Sequence, residues 1–188
     1  MVSNPICWTT RDLEAMPDDG GWNRYEIVGG ELFVTPAPHI RHQGAASKIH
    51  VRLENWSEET GLGNAFEMPG LVFTEIDAVI PDVVWVSNER LANGIDEAGH
   101  FNLAPELVVE VLSAGEANEQ RDRKIKLKLY SLQGVQEYWI VNWCSKEIEV
   151  YRQKDAELQK VATLLTKDCL TSPLLPGFEC AVARVFLV

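Results

Sequence analysis

Long apolar runs, clustered cysteines, repeats and an excess of positive charge are all missing from this 188-residue sequence. Each absence closes off a class of protein. No stretch approaches the roughly 20 apolar residues that span a bilayer. The four cysteines, Cys7, Cys144, Cys169 and Cys180, form no CxxC pair. Structural zinc therefore lacks its clustered thiolates, and free, partly buried thiols are expected instead. The opening MVSNPICWTTRDLEAM pairs no basic segment with an apolar run, so no secretory signal is read and the cytoplasm is the expected location. With no low-complexity tract or Ser/Pro-rich linker, one domain over 1–188 is expected. It divides into an N-terminal extension (1–40), a core (41–152) and a C-terminal extension (153–188).

The missing positive charge matters most for function. Against 17 Lys and Arg stand 28 Asp and Glu, a formal net charge of -11. Affinity for nucleic acid comes mainly from Lys and Arg that neutralise phosphates, so the chain is a poor general binder of DNA. Screening confines exposed charges to about 8–10 Å at physiological salt, and a local basic patch can still act.

What is present is an ordinary globular composition, 46% hydrophobic, in an ordered series of patterned segments. Thr9-Thr10 ahead of RDLEAM predicts a short capped helix that stops near Pro17. WNRYEIV, Gly29-Gly30 and ELFVTP predict a β-hairpin. A helix follows over about Arg41–Glu59, with Ile49, Leu53 and Trp56 on one face and Gly61 at its end. NAFEM, LVFTE and AVIPDVVWV read as strands, and Ser87 to Asn102 as a polar loop. ELVVEVLS is a compact strand, followed by a helix over about Ala117–Leu132 with Ile125, Leu129 and Leu132 as its buried stripe. QEYWIVN, KEIEVYR and ELQKVATLL are further strands, and FECAVARVFLV is an element of undetermined type. From the long helix onward the order is αβββαβ. That order predicts an α/β fold with a mixed sheet flanked by helices, preceded by the N-terminal helix and hairpin.

Two acids interrupt apolar strands. Glu110 sits inside PELVVEVLS, where an ionised carboxylate is costly unless it is paired or holds a metal. Asp82 follows a proline at the head of an apolar run; alone, that pair is a turn signal. Together, on neighbouring strands, two carboxylates suit Mg²⁺, which keeps several of its own waters. In RDRKIKLKLY, Asp122, Lys126 and Tyr130 stand at i, i+4 and i+8 on one helix face. Arg121, Arg123, Lys124 and Lys128 make the same segment the densest basic cluster of the chain, a pattern that equally describes a solvated helix face.

The strings YEIVGGELFVTPAP, RHQ, PDVVWV, PELVVEVLS, D-x-x-x-K-x-x-x-Y and GVQEYWIVN, in that order, resemble the Uma-two family of putative restriction endonucleases, a branch of the PD-(D/E)XK nuclease superfamily. The resemblance spans roughly Trp22–Tyr151. It implies a restriction-endonuclease-like fold with Asp82 and Glu110 as catalytic, metal-binding acids and Lys126 as the catalytic lysine. The carbonyl of Val111 joins the metal set. The sequence departs from E-x-K, since Leu112 stands where the lysine would be; Lys126 on the next helix takes its place. Tyr130 matches the family tyrosine, and Asn142 stands where an aspartate is usual. His42, Asp122 and Tyr130 are implied as substrate contacts or supports of the metal site.

The implied activity is Mg²⁺- or Mn²⁺-dependent hydrolysis of phosphodiester bonds in nucleic acid, DNA before RNA, by a cytoplasmic homodimer. With Lys126 and a metal near, Glu110 is expected to stay ionised. Trp8, Trp22 and Trp143 are candidates for the dimer interface, or for core. Two rivals stand beside this reading: a binding or assembly module with the same fold and no turnover, and a hydrolase of non-nucleic phosphoesters.

Overall fold

The computed structural model of the chain describes residues 6–17, 20–113 and 115–186. The first five residues of the opening segment and the last two of FECAVARVFLV lie outside the described residues. A short helix, α1 (Thr10–Glu14), is capped by Thr9. Gly29 (φ 58°) and Gly30 (φ 77°) then turn the chain between β1 (Asn23–Val28) and β2 (Glu31–Pro36), a geometry that side chains with a Cβ resist. α2 (Ile40–Thr60) ends on Gly61 in the left-handed conformation. Its inner face carries Ala45, Ala46, Ile49, Leu53 and Trp56, and the two alanines let the helix lie close on the sheet beneath.

That sheet has six strands. β3 (Gly63–Glu67) pairs antiparallel with β6 (Val83–Ser87), and β6 pairs antiparallel with β7 (Leu107–Val111). β8 (Glu137–Asn142) runs parallel to β7, and β9 (Glu147–Lys154) and β10 (Glu157–Leu165) complete the order β10-β9-β8-β7-β6-β3. A parallel pair needs a long crossover, and the chain supplies a helix in three parts. These are α4 (Glu116–Gln120), a π-helical segment (Arg121–Lys126) and α5 (Leu127–Gln133), closed by left-handed Gly134. The expected αβββαβ core and mixed sheet are therefore present, flanked by helices on its two faces.

Between β3 and β6 the chain leaves this sheet. β4 (Leu71–Thr74) and β5 (Asp77–Val79) pair with the hairpin to give a second sheet, order β2-β1-β5-β4. It returns through Ile80-Pro81-Asp82. Proline has no N–H to continue a ladder, so AVIPDVVWV is two strands in two sheets and not one run. The hairpin, expected as an extension, is half of that second sheet.

Three further details differ from the sequence reading. Ser87 to Asn102 holds one helical turn, α3 (Asn88–Leu91). The C-terminal segment forms a hairpin of β11 (Cys169–Ser172) and β12 (Leu175–Ala181), then a 3₁₀ turn (Val182–Arg184). Leu170, Phe178, Val182 and Phe186 complete the core beneath α2. Of the stripe Ile125, Leu129, Leu132 the crossover helix buries only Leu129: Leu132 is 74% exposed and Ile125 half-buried. Arg121, Asp122, Lys126, Leu129 and Tyr130 face inward instead. The wider π turns shift the register that a 3.6-residue period assumes. The four cysteines are free, but Cys7, Cys144 and Cys169 are exposed and only Cys180 is buried. Among the described residues no helix is long and apolar enough to cross a membrane.

Candidate active site

Period-two alternation puts Arg24 and Glu26 on the same face of β1. Glu26 is fully buried; its Oε1 accepts the Ile80 N–H at 2.8 Å and the Lys126 ammonium at 2.8 Å. Its Oε2 is buried with no hydrogen-bond partner among the described residues. Arg24 donates to the Ile80 carbonyl and to Asp82 Oδ1, both at 3.0 Å.

Asp82 sits where the chain passes from the second sheet to the first. Its Oδ2 accepts the Val111 N–H at 2.7 Å, and His42 Nε2 from the first turn of α2 lies 3.3 Å from the same oxygen. One step beyond the ladder pair Val83–Val109, Asp82 stands across from Glu110. Directly opposed residues share a face of the sheet. Glu110 Oε1 accepts both the Lys126 Nζ and the Tyr130 hydroxyl, each at 2.8 Å. Asp122 is held by Arg121 Nε at 3.3 Å, and Arg121 also donates to Thr35 Oγ1 at 2.8 Å.

The structure thus brings Asp82, Glu110, Lys126, His42 and Tyr130 into one buried cluster, with the Val111 N–H turned to Asp82, and buries the Asp122–Arg121 pair close enough to act on Lys126 by charge. Two members were missing from the sequence reading, Glu26 and Arg24. On a short strand, two charged residues at i and i+2 read as a solvent face. Packing of the second sheet against the crossover helix turns that face inward.

The charges do not balance. Glu26, Asp82, Glu110 and Asp122 oppose Arg24, Arg121 and Lys126, four acids against three permanent cations. Elsewhere each buried acid is matched locally. Glu106 pairs with Ser87 and Arg90, Glu137 with Ser172 and Trp139, and Glu149 with Tyr151 and Arg123. A buried ion without compensation costs several kcal/mol, so the surplus negative charge must be met by a proton or by another cation.

Burial, with Asp82, Asp122 and Glu26 close by, pushes the Glu110 carboxyl up to about 7 against the pull of Lys126. Burial raises Asp122 as well, in spite of Lys126 and Arg121. Burial would also raise Asp82, but His42, Arg24 and the Val111 N–H hold it well below the usual carboxylate range. Glu26 is likewise held low by Lys126 and Arg24 against its burial. Burial opposes the charge of Lys126, yet Glu110, Glu26 and Asp122 keep it protonated.

A pH effect follows. The folded Glu110 binds a proton that the unfolded chain releases near its ordinary value of 4.5. Its contribution to stability is complete below that value and is lost as pH rises through about 7. The Tm of the wild type is expected to fall between about pH 5 and 8, and Glu110→Gln to flatten that slope. An unchanged slope in the variant would assign the proton to another group.

Among the described residues no group of three or more His, Cys, Asp or Glu side chains forms a ready-made metal cage. The donor set fits a different kind of site. Mg²⁺ is commonly held by one or two carboxylates and keeps several waters. Asp82 and Glu110, opposed across two strands, are carboxylates that would suit such a site. The unpartnered Glu26 Oε2 and the surplus negative charge are what an added cation and its waters would satisfy.

Asp82, Arg24 and His42 line a cavity of about 370 Å³ together with Trp22, Pro36, Pro38 and Met68, of which Trp22 and Met68 are exposed. Asn142 takes no part: its Oδ1 accepts the N–H groups of Cys144 and Ser145 in the β8–β9 turn.

Residues 10–183 match the model of a protein family, Uma2, described as "Putative restriction endonuclease". Among solved structures, a putative nuclease belonging to DUF820 from Anabaena variabilis superposes with a TM-score of 0.73 at 17% identity, covering 95% of this chain and 97% of that one. At that identity the likeness establishes the fold. No curated protein matches the chain.

Proposed function

As the chain belongs to the Uma-two family of putative restriction endonucleases, we propose that its buried acid–lysine centre hydrolyses phosphodiester bonds of DNA in the cytoplasm, with Mg²⁺ or Mn²⁺ as cofactor. One observation carries this reading. Lys126 Nζ lies 2.8 Å from carboxylate oxygens of both Glu26 and Glu110, and Asp82 stands across from Glu110.

Asp82 and Glu110, with the Val111 carbonyl, would hold the cation; when bound, it lowers the pKa of a water and offsets charge on the scissile phosphate. The protein's own groups set the rest. Arg24 and the Val111 N–H orient Asp82, and Tyr130 and Lys126 fix Glu110 Oε1. Lys126, kept charged by three acids and buried behind Glu110, would be a preorganised positive group toward the phosphoryl oxygens. His42 faces the cavity beside Asp82 and would contact the phosphate or the attacking water. Asp122, paired with Arg121, adds to the negative charge that keeps the lysine protonated. A two-fold homodimer is the assembly that a duplex substrate would call for.

The test is cleavage of supercoiled and of single-stranded DNA with Mg²⁺ or Mn²⁺ and again with EDTA. Cleavage that stops on chelation is expected; no cleavage in any condition, or equal cleavage in EDTA, overturns the proposal. The rival reading, a module without turnover, is favoured by the net charge of -11, which offers little to hold phosphates. Calorimetric titration with Mn²⁺ separates the two: no binding at millimolar metal supports the module.

A further inference from the structure

The cavity above the site has an exposed indole in its lining and little positive charge. Trp22 immediately precedes β1, and its carbonyl accepts the Ala37 N–H at 2.8 Å, one pair beyond Asn23–Pro36 in the hairpin ladder. Alternation then places Trp22, Arg24 and Glu26 on one face. Along that face exposure falls steeply: Trp22 is 66% exposed, the Arg24 side chain 10% and Glu26 0%. The indole therefore stands at the mouth of the passage whose floor holds Asp82 and His42, about 7 Å along the strand from Arg24.

Met68 lines the same cavity. It is 54% exposed and adopts a left-handed backbone (φ 50°), a conformation uncommon for a non-glycine residue. Its N–H bonds the Asp82 carbonyl at 3.1 Å, which ties this wall to the site. Pro36 and Pro38 extend the apolar lining.

Positive charge is scarce there. Among the described residues lining the cavity, Arg24 is the only Lys or Arg; it is already bound to Asp82, and Glu67 adds a further acid. Double-stranded DNA carries one negative charge per about 1.7 Å and is held chiefly by phosphate neutralisation. A chain of net charge -11 with this lining offers no such clamp. Stacking on an aromatic ring needs no basic surface.

We propose that the site takes single-stranded nucleic acid, with one unpaired base stacked on Trp22 against Met68 and the adjoining phosphate directed to Asp82 and His42. The inference rests on the nuclease reading and narrows its substrate; for a single strand no second centre is called for.

Anisotropy of a fluorescein-labelled oligodeoxynucleotide, alone or annealed to its complement, measures binding in EDTA, where no metal-dependent cleavage intervenes. The wild type is expected to bind the single strand at least about tenfold more tightly than the duplex, with a shallow salt dependence of one or two phosphate contacts at roughly -0.7 each. Trp22→Ala, at an exposed position, should raise Kd by about 5- to 150-fold, the range for a lost base–aromatic stack. Trp22→Phe should keep most of the affinity. Duplex bound as tightly as the single strand, an unchanged Kd in Trp22→Ala, or no binding of either probe overturns the inference. The cleavage assay reports separately on the nuclease reading. Duplex cleavage indifferent to Trp22→Ala would keep hydrolysis and remove the single strand. Trp22-dependent binding without metal-dependent cleavage would do the reverse.

Discussion

Replacing Lys126 with Met is expected to destabilise the protein by about 3–5 kcal/mol, because it leaves buried carboxylates without their shared cation. Lys126 is fully buried and its ammonium bonds Glu26 and Glu110 directly. Methionine fills much the same volume, so the loss is electrostatic more than steric. For a chain of this length it corresponds to a fall in Tm of roughly 6–20 °C. The sign of the pH dependence is a further check. Without the lysine, the folded pKa values of Glu26 and Glu110 rise. A raised carboxyl contributes stability that is present at low pH and lost as pH climbs through its folded value. The deficit of the variant should therefore be larger at pH 8 than at pH 5, and Lys126→Met combined with Glu110→Gln should recover part of it. Thermal melts at the two pH values decide the matter. A variant as stable as wild type at pH 8 would mean that the lysine does not hold the network.

Asp82→Asn is expected to cost about 10²- to 10³-fold in metal-dependent cleavage, the usual loss for removing one preorganised charge from a reacting centre. The amide keeps the shape of the side chain and can still accept the Val111 N–H. It cannot offset Arg24 or attract a divalent cation as a carboxylate does. Structure and function therefore separate in this variant. The lost Arg24–Asp82 pair, at 3.0 Å and mostly buried, should lower Tm modestly, whereas Mn²⁺ affinity measured by calorimetry should fall steeply. Cleavage at the wild-type rate by the folded variant would remove Asp82 from the reaction.

Much of the fold was legible along the chain because its signals are local. Gly29-Gly30, Gly61 and Gly134 mark turns and helix ends where left-handed backbone is required, and each sits there in the structure. The strand–helix–strand order of β7, the crossover helix and β8 dictated a parallel pair. The misreadings have equally local causes. Pro81 divides an apolar run between two sheets, which a hydrophobic window cannot see. The π turns at Arg121–Lys126 rotate the helix away from the 3.6-residue stripe, so that Leu132 faces solvent and Lys126 the interior. Glu26 and Arg24 went unread because their spacing on β1 is that of an ordinary wetted strand.

Taken alone, the amino-acid order determined the elements and the presence of acids where apolar strands should carry none, since turn chemistry and periodicity act over a few residues. Only the tertiary structure decided that Glu26, Asp82, Glu110 and Lys126, from four separate segments, share one water-poor volume with a surplus negative charge. Such a surplus is a property of the enclosed space: it depends on which side chains are buried together, and no spacing along the chain encodes that.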